Sequence, residues 1–423
     1  MIERIVQQLK QTACDGYTIE EVKTIAYQFF FVAHQLDQNR KKMVNHTTLT
    51  VFKKLDDGCL GQASKEICQG SSDEEIKSTI DELLYRCEFV KNQAYALPSK
   101  GENQNFTKSF DAMEVVKKLL KVMQGLKENQ YAKINSYEIF VNEVNKRFIN
   151  SNGIDVSYNQ LDGEVEVIIN GVDQGHEIEL YRDYIFGDLD EELLKKQINE
   201  VLFLASQRAK AVPTPQLDEC KVLLGSDNVK TLMNYFVCGV NARYVYQKIS
   251  TMKVDEAICD AKGDRICMKG VRFLEHSSRN AAYDGDGNLI QDRVLIKDNI
   301  VQAFYGNERF AQYIGCQAGD FKNFIFEGGS RSIEEMKQEP YLECLDFSSF
   351  SLDEVTGDYA GEIRLAYYYD GEKVVPVRGG SIAGNILKDM KDWYLSKESS
   401  QYNWMSVPSV VELHHAVITG CSE

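Results

Sequence analysis

The sequence has little proline, tryptophan or histidine: six Pro, two Trp and six His in 423 residues. No pair of histidines stands at the helical spacing of a zinc-peptidase motif, which excludes a self-contained HExxH or HExxxH site. Eleven cysteines are scattered without any CxxC pair. That arrangement excludes a zinc-finger pattern and a disulfide framework, and buried reduced thiols are expected. No apolar run reaches the length of a membrane span. The opening MIERIVQQLKQTACDGYTIEE lacks an apolar leader, so a cytoplasmic protein without membrane contact is expected. Basic blocks are missing too, the longest being Arg40-Lys41-Lys42 in a chain of net charge -16. A phosphate backbone would repel such a protein, so nucleic acid is not an expected ligand. GxSxG, Walker and dinucleotide fingerprints are all lacking.

What is present is the balance of a chain that can bury a full core, 43% hydrophobic and 26% charged residues. At this length two domains are expected. Pro213-Thr214-Pro215 marks the boundary, since two prolines in three residues stop a helix and stiffen a connection. The expected division is an N-terminal α+β domain over 1–213 and a mostly β domain with a few helices over 214–423. Within the first, two related units are expected at about 20–98 and 135–213. Tyr27 to Val32 and Tyr137 to Val141 read as aromatic strands. Each is followed by shorter β-like runs and a helix. The helix faces Ile76, Ile80, Leu83, Leu84, Cys87 and Leu194, Ile198, Val201, Leu202, Ala205 match at a constant offset of 118 residues. Each unit reads as an antiparallel sheet covered by one helix. Between them, a polar stretch from Ser99 to Lys108 precedes an expected helix with Met113, Val116, Leu119, Leu120 and Met123 on one face.

Several patterns suggest chemistry and fail on spacing. His176-Glu177 opens like a zinc-peptidase motif, but no second histidine follows and EIELY alternates as a strand. Asp284, Asp286 and Asn288 stand where a calcium loop has its first ligands, yet Leu289 replaces the required glycine and Leu295 the bidentate glutamate. A hairpin turn accounts for that segment better. His414-His415 lies in a strand-like run, where neighbours point to opposite faces and cannot share one metal.

The stretch from Val374 to Leu395 has the most organised layout. Val374 to Val377 is β-prone, Arg378-Gly379-Gly380 breaks the run, and Asn385 is placed to cap a helix. Ile386, Leu387, Met390, Trp393 and Tyr394 would form the apolar face of that helix. Lys388, Asp389, Lys391 and Asp392 would form its polar face.

RGGSIAGNILKDM within this stretch resembles the turn and helix near the C-terminus of the TldD/PmbA family, the modulators of DNA gyrase. Tyr283 to Gly315, Lys322 to Met336, Glu354 to Val377 and Val407 to Gly420 resemble further segments of that family in order. The resemblance implies an α+β fold and a peptidase context. Zinc-bearing chains of the family carry an HExxxH helix, and PmbA-type partners lack it. The matching stretch is KVLLGSDNVKTLM, with Gly225, Ser226 and Lys230 where the two histidines and the glutamate would stand. The resemblance therefore implies a PmbA/TldE-like chain with no catalytic residue and no metal ligand of its own. Zinc is expected only in a TldD-type partner. It further implies a heterodimer with such a partner or a homodimer, a peptide substrate, and contacts with cavity or peptide from Arg378, Gly380, Gly384, Asn385, Thr356, Gly357 and Asp358. The alternatives are a protein-binding regulator of the gyrase-modulator type and a self-sufficient hydrolase with an unidentified site.

Overall fold

The computed structural model describes residues 1–99, 105–106, 108–217 and 220–421. Most of the polar stretch before the third helix lies outside the described residues. The N-terminal part runs α1 (Ile2–Leu9), β1 (Gly16–Val32), β2 (Gln35–Lys54), β3 (Leu60–Glu66), α2 (Asp73–Cys87), β4 (Lys91–Asn92), α3 (Ala112–Gln124), β5 (Ala132–Asn150), β6 (Asp155–Asp173), β7 (His176–Phe186) and α4 (Glu191–Lys210). These strands form one antiparallel sheet in the order β4-β3-β2-β1-β5-β6-β7. The halves β1-β2-β3-α2 and β5-β6-β7-α4 meet along β1 and β5, paired from Thr18 opposite Asn150 to Val32 opposite Ser136.

β1, β2, β5 and β6 are 17 to 20 residues long, far beyond the short aromatic runs legible in the sequence. Gln35 to Val44 of β2 is exposed on both faces, so it carries no period-2 hydrophobic signal; strand pairing and the stacking of Arg40 on Phe30 and Lys41 on Tyr27 hold it. The β1–β2 turn is Ala33-His34, both at positive φ. This is the backbone of a two-residue hairpin without the Asn-Gly signature that would announce it.

The helices cover the sheet through the faces their periodicity marks. Ile76, Ile80, Leu83 and Cys87 of α2 are fully buried with Ile19, Leu49 and Val51, while Leu84 is only partly buried. Ser72 and Glu75 close a reciprocal capping box at the start of α2, satisfying two backbone donors. All five expected positions of α4 are buried. On α3, Val116, Leu119 and Met123 are buried as expected and Leu120 is partly buried, but Met113 is exposed and Ala112 and Val122 are buried in addition. Ala112, Val116, Leu119 and Met123 align along the helix, and Met113 falls to the side of that line.

The second part runs β8 (Val212–Pro213), β9 (Lys221–Gly225), α5 (Asn228–Gly239), α6 (Ala242–Tyr246), β10 (Met268–Val271), β11 (Arg293–Lys297), β12 (Ile300–Val301), α7 (Glu308–Ile314), β13 (Asn323–Phe326), α8 (Ile333–Met336), β14 (Tyr341–Leu352), β15 (Asp358–Tyr369), β16 (Val374–Arg378), β17 (Ser381–Asn385), α9 (Ile386–Asp389), β18 (Tyr394–Leu395), β19 (Ser399–Tyr402), β20 (Met405–Pro408), β21 (Val410–Leu413) and β22 (Val417–Thr419). One sheet has the order β12-β11-β10-β13-β20-β19. The other runs β18-β21-β9-β14-β15-β16-β8, with β17 bonded to β15 and β22. The fold is therefore α+β, with a β-rich second part. α5 packs on β9 and β14 of one sheet and β20 of the other. Val229, Leu232, Met233, Phe236 and Val237 are all buried and form one broad face, while Lys230, Thr231, Asn234 and Cys238 on the other side are partly exposed. The change of sheet comes at Val212, because β8 already pairs with β16.

The Val374–Leu395 stretch differs from its sequence reading. Ser381 to Asn385 is a strand, and the helix after it is a single turn, Ile386–Asp389. Asn385 does cap it, accepting from the Leu387 N–H at 3.1 Å. The expected polar-face residue Asp389 is fully buried, bonded by the Tyr359 hydroxyl at 2.7 Å and the His415 N–H at 3.1 Å. Those bonds and the anchoring of Trp393 Nε1 on the Asp264 carbonyl pull the chain out of the helix after one turn. His414 and His415 also depart from expectation. They lie in an exposed bend between β21 and β22, each 2.9 Å from a carboxylate, Glu412 and Asp392 respectively. All eleven cysteines are free, but only Cys87 and Cys344 are fully buried.

Candidate functional site

The strand-to-helix turn at Gly225 is built by three local features. Val222, Leu223 and Leu224 are fully buried in β9, between β21 and β14. Ser226 takes φ +59°, reversing the chain within one residue. Asn228 Nδ2 then donates to the Gly225 carbonyl at 3.1 Å, and the Val229 N–H to the Ser226 carbonyl at 3.3 Å. Asp227 precedes the helix without a side-chain capping bond.

A cavity of about 150 Å³ opens beside this turn, at the junction of the two halves of the molecule. Asp227, which precedes α5, and Lys230 of α5 form one wall, with His276, Gln401 and Tyr402 of β19, and Asn403 of the turn that follows it. The opposite wall comes from β7 and the start of α4, including Asp183, Tyr184, Phe186, Leu193 and Leu194. Asp190 is partly committed, since its carboxylate accepts from the Leu193 N–H at 2.9 Å to cap α4. His276 Nδ1 lies 3.1 Å from the Asp188 carbonyl. Burial, and after it the nearby Asp227 carboxylate, pushes the Tyr402 hydroxyl up to about 12. The Tyr184 hydroxyl is buried without a hydrogen-bond partner, and burial raises its pKa as well. Such a group is normally bonded.

A catalytic zinc ion does not fit this donor set. Gly225 has no side chain, Ser226 offers a neutral hydroxyl, and Lys230 presents an ammonium that is a donor only. Among the described residues, no three His, Cys, Asp or Glu side chains are spaced to hold a metal.

The seven residues expected to contact a peptide lie elsewhere. Thr356, Gly357, Asp358 and Asn385 converge, with Asn385 Nδ2 donating to the Thr356 carbonyl at 3.0 Å and to Asp358 Oδ1 at 2.8 Å. Gly384 is beside them, paired with Tyr359 across β17 and β15. Arg378 and Gly380 sit at the other end of β17. None of the seven lines the junction cavity. The lining residues Asp183, Tyr184, His276, Tyr402 and Asn403 gave no local sequence signal, because three separate segments supply them. The Asp284–Asn288 segment is a turn in which the Asp284 carboxylate accepts from the Asp286 and Asn288 N–H groups at 3.0 and 2.9 Å. Its Gly287 abuts Phe148 of β5 and Ile154 of the β5–β6 turn.

Residues 217–420, just under half of the chain, match the PmbA/TldA metallopeptidase C-terminal domain, and the second part is similar to that domain of TldD/PmbA proteins. A protein of Methanocaldococcus jannaschii, the uncharacterized MJ0231, is 23% identical over 285 residues, covering 63% of this chain and 65% of that protein. The chain thus spans just under two thirds of that relative. Among solved structures, TldE from Thermococcus kodakarensis superposes with a TM-score of 0.81 at 18% identity, covering 99% of this chain and 100% of that one. A Thermotoga maritima protein proposed as a modulator of a DNA gyrase gives 0.77 at 15% identity, covering 99% of each chain. Both share the fold.

Proposed function

We propose that this chain is the metal-free subunit of a cytoplasmic TldD/PmbA-type peptidase, completing a peptide-binding cavity when paired with a zinc-bearing chain. One observation carries the reading. The strand-to-helix turn aligned with the HExxxH of zinc-bearing members carries Gly225, Ser226 and Lys230, and of these Lys230 lines the junction cavity. Neither metal ligation nor activation of a metal-bound water can come from those three residues. The subunit's contribution is then shape and polar contacts rather than bond cleavage.

The chain purified alone is expected to hold substoichiometric zinc and to leave unfolded peptides intact. Co-expression with an HExxxH-bearing homologue is expected to yield a complex that cleaves them. Stoichiometric zinc in the isolated chain, or robust cleavage by it, would overturn the reading. Recovery with gyrase subunits in place of a zinc-bearing chain would support the regulator instead.

A further inference from the structure

We propose that a cavity between the N-terminal sheet and the second part binds a small organic anion, its carboxylate or phosphate meeting Lys146 and Arg279 and its apolar body packing on Phe148, Val156 and Ala281. This cavity shares no lining residue with the one beside Lys230, and its chemistry is independent of the subunit reading above.

The cavity has a volume of about 320 Å³, space for roughly ten water molecules. Cavities that hold small molecules start at about 300 Å³, lie preferentially at domain interfaces and combine apolar wall with a few placed polar groups. This one has that composition. Lys146 of β5 stands directly opposite Tyr158 of β6, and Phe148 directly opposite Val156, so the four project from one face of the N-terminal sheet. Arg279, Ala281 and Asp284, from the segment between β10 and β11, close the space from the second part. Smaller cavities of about 200 and 130 Å³ adjoin it at Tyr158, which lines all three, and they leave room for a longer body.

The charge of the wall runs against that of the molecule. In a chain of net charge -16, it carries four cations, Lys146, Arg147, Arg279 and Lys322, against the carboxyl groups of Glu20 and Asp284. Arg147 is paired with Asp155 and Lys322 with Asp320. Among the described residues, neither Lys146 nor Arg279 pairs with a carboxylate. Each rests on an aromatic ring instead, Lys146 Nζ 5.7 Å from the Tyr158 ring centre and the Arg279 guanidinium 4.7 Å from that of Trp404. A ring face holds a cation in place without supplying a counter-charge. The Arg279 backbone is fixed as well: its N–H donates to Ser277 Oγ at 3.0 Å and its carbonyl accepts from Asn323 Nδ2 at 3.4 Å, both partners being buried. Asp284 offsets only part of this charge near neutral pH, because burial, and after it the Asp286 carboxylate, pushes its carboxyl up to about 7. Two unpaired cations held in one cavity repel, and a bound anion replaces that repulsion with charge-assisted hydrogen bonds.

The test uses the full chain and isothermal titration calorimetry at low salt, with phenyl phosphate, phenylacetate, benzyl alcohol and inorganic phosphate. Phenyl phosphate or phenylacetate is expected to bind about tenfold more tightly than benzyl alcohol, which lacks the charge, and than inorganic phosphate, which lacks the ring. The tighter of the two aromatic anions assigns phosphate or carboxylate as the preferred group. Lys146→Met and Arg279→Met should each weaken that binding by about tenfold. Glu20→Gln should strengthen it by about twofold, and Lys297→Met, at an exposed position outside the cavity, should leave it unchanged. The gain from Glu20→Gln has a sign that general damage to the fold cannot produce. Equal affinity for benzyl alcohol and the aromatic anions, binding of inorganic phosphate as tight as theirs, no binding of any, or indifference to the Lys146 and Arg279 variants overturns the proposal.

Discussion

Gly380 shows how one residue carries the turn at the start of β17. It and Gly379 both take φ +77°, and a Cβ on Gly380 would lie 2.1 Å from the Thr419 carbonyl oxygen. Gly380→Ala is therefore expected to cost about 2 kcal/mol or more, read as a lower urea midpoint. Asp284 makes a different single-residue prediction. Burial, and after it the Asp286 carboxylate, raises its pKa from 3.8 to about 7, so between those values the folded chain retains a proton that the unfolded chain releases. Its contribution is fully present below pH 3.8 and is lost as pH rises to about 7, by up to a few kcal/mol. Urea midpoints measured at about pH 5 and about pH 8 should differ in that direction, and Asp284→Asn should reduce the difference.

At the scale of elements, helices were legible where one face alone meets the sheet. The buried positions of α2 and α4 follow from a 3.6-residue period in the sequence, and the Ser72–Glu75 box announces where α2 begins. Ser72→Ala is expected to lower stability by about 1 kcal/mol, seen as a shift in thermal midpoint, with the cost confined to the first half of the sheet. α5 and α9 were less legible for opposite reasons. α5 packs against strands of both sheets, so its apolar spacing cannot say which residue meets which sheet. α9 has the apolar spacing of a longer helix, but bonds from Tyr359 and His415 to Asp389 end it after one turn. The long strands share this difficulty: β2 from Gln35 to Val44 has no buried face to set a period.

Across the whole molecule, a buried charge cluster ties the two halves together. Asp346 of β14 is 5% exposed. Arg182 of β7 lies 2.8 Å from it and Arg208 of α4 lies 3.9 Å away. Removing the nearer guanidinium leaves a buried carboxylate poorly compensated, so Arg182→Ala is expected to cost about 3 kcal/mol. Because the pair bridges the halves, the same variant should broaden the urea transition or split it in two, as followed by Trp393 and Trp404 fluorescence. The cavity beside Lys230 lies in the same junction, so its shape depends on how the halves are held.

The sequence by itself determined the α+β class, the buried faces of the principal helices, the capping role of Asn385 and the family resemblance of the second part. Each rests on short-range periodicity or on ordered local motifs. It also determined that Gly225, Ser226 and Lys230 cannot ligate zinc, since that follows from side-chain chemistry alone. Only the tertiary structure decided what surrounds those three residues. The carboxylates of Asp183 and Asp227, the Tyr184 and Tyr402 hydroxyls and the imidazole of His276 come from segments far apart in the chain. Strand pairing and the packing of two domains bring such groups together, and neither process leaves a local pattern to read.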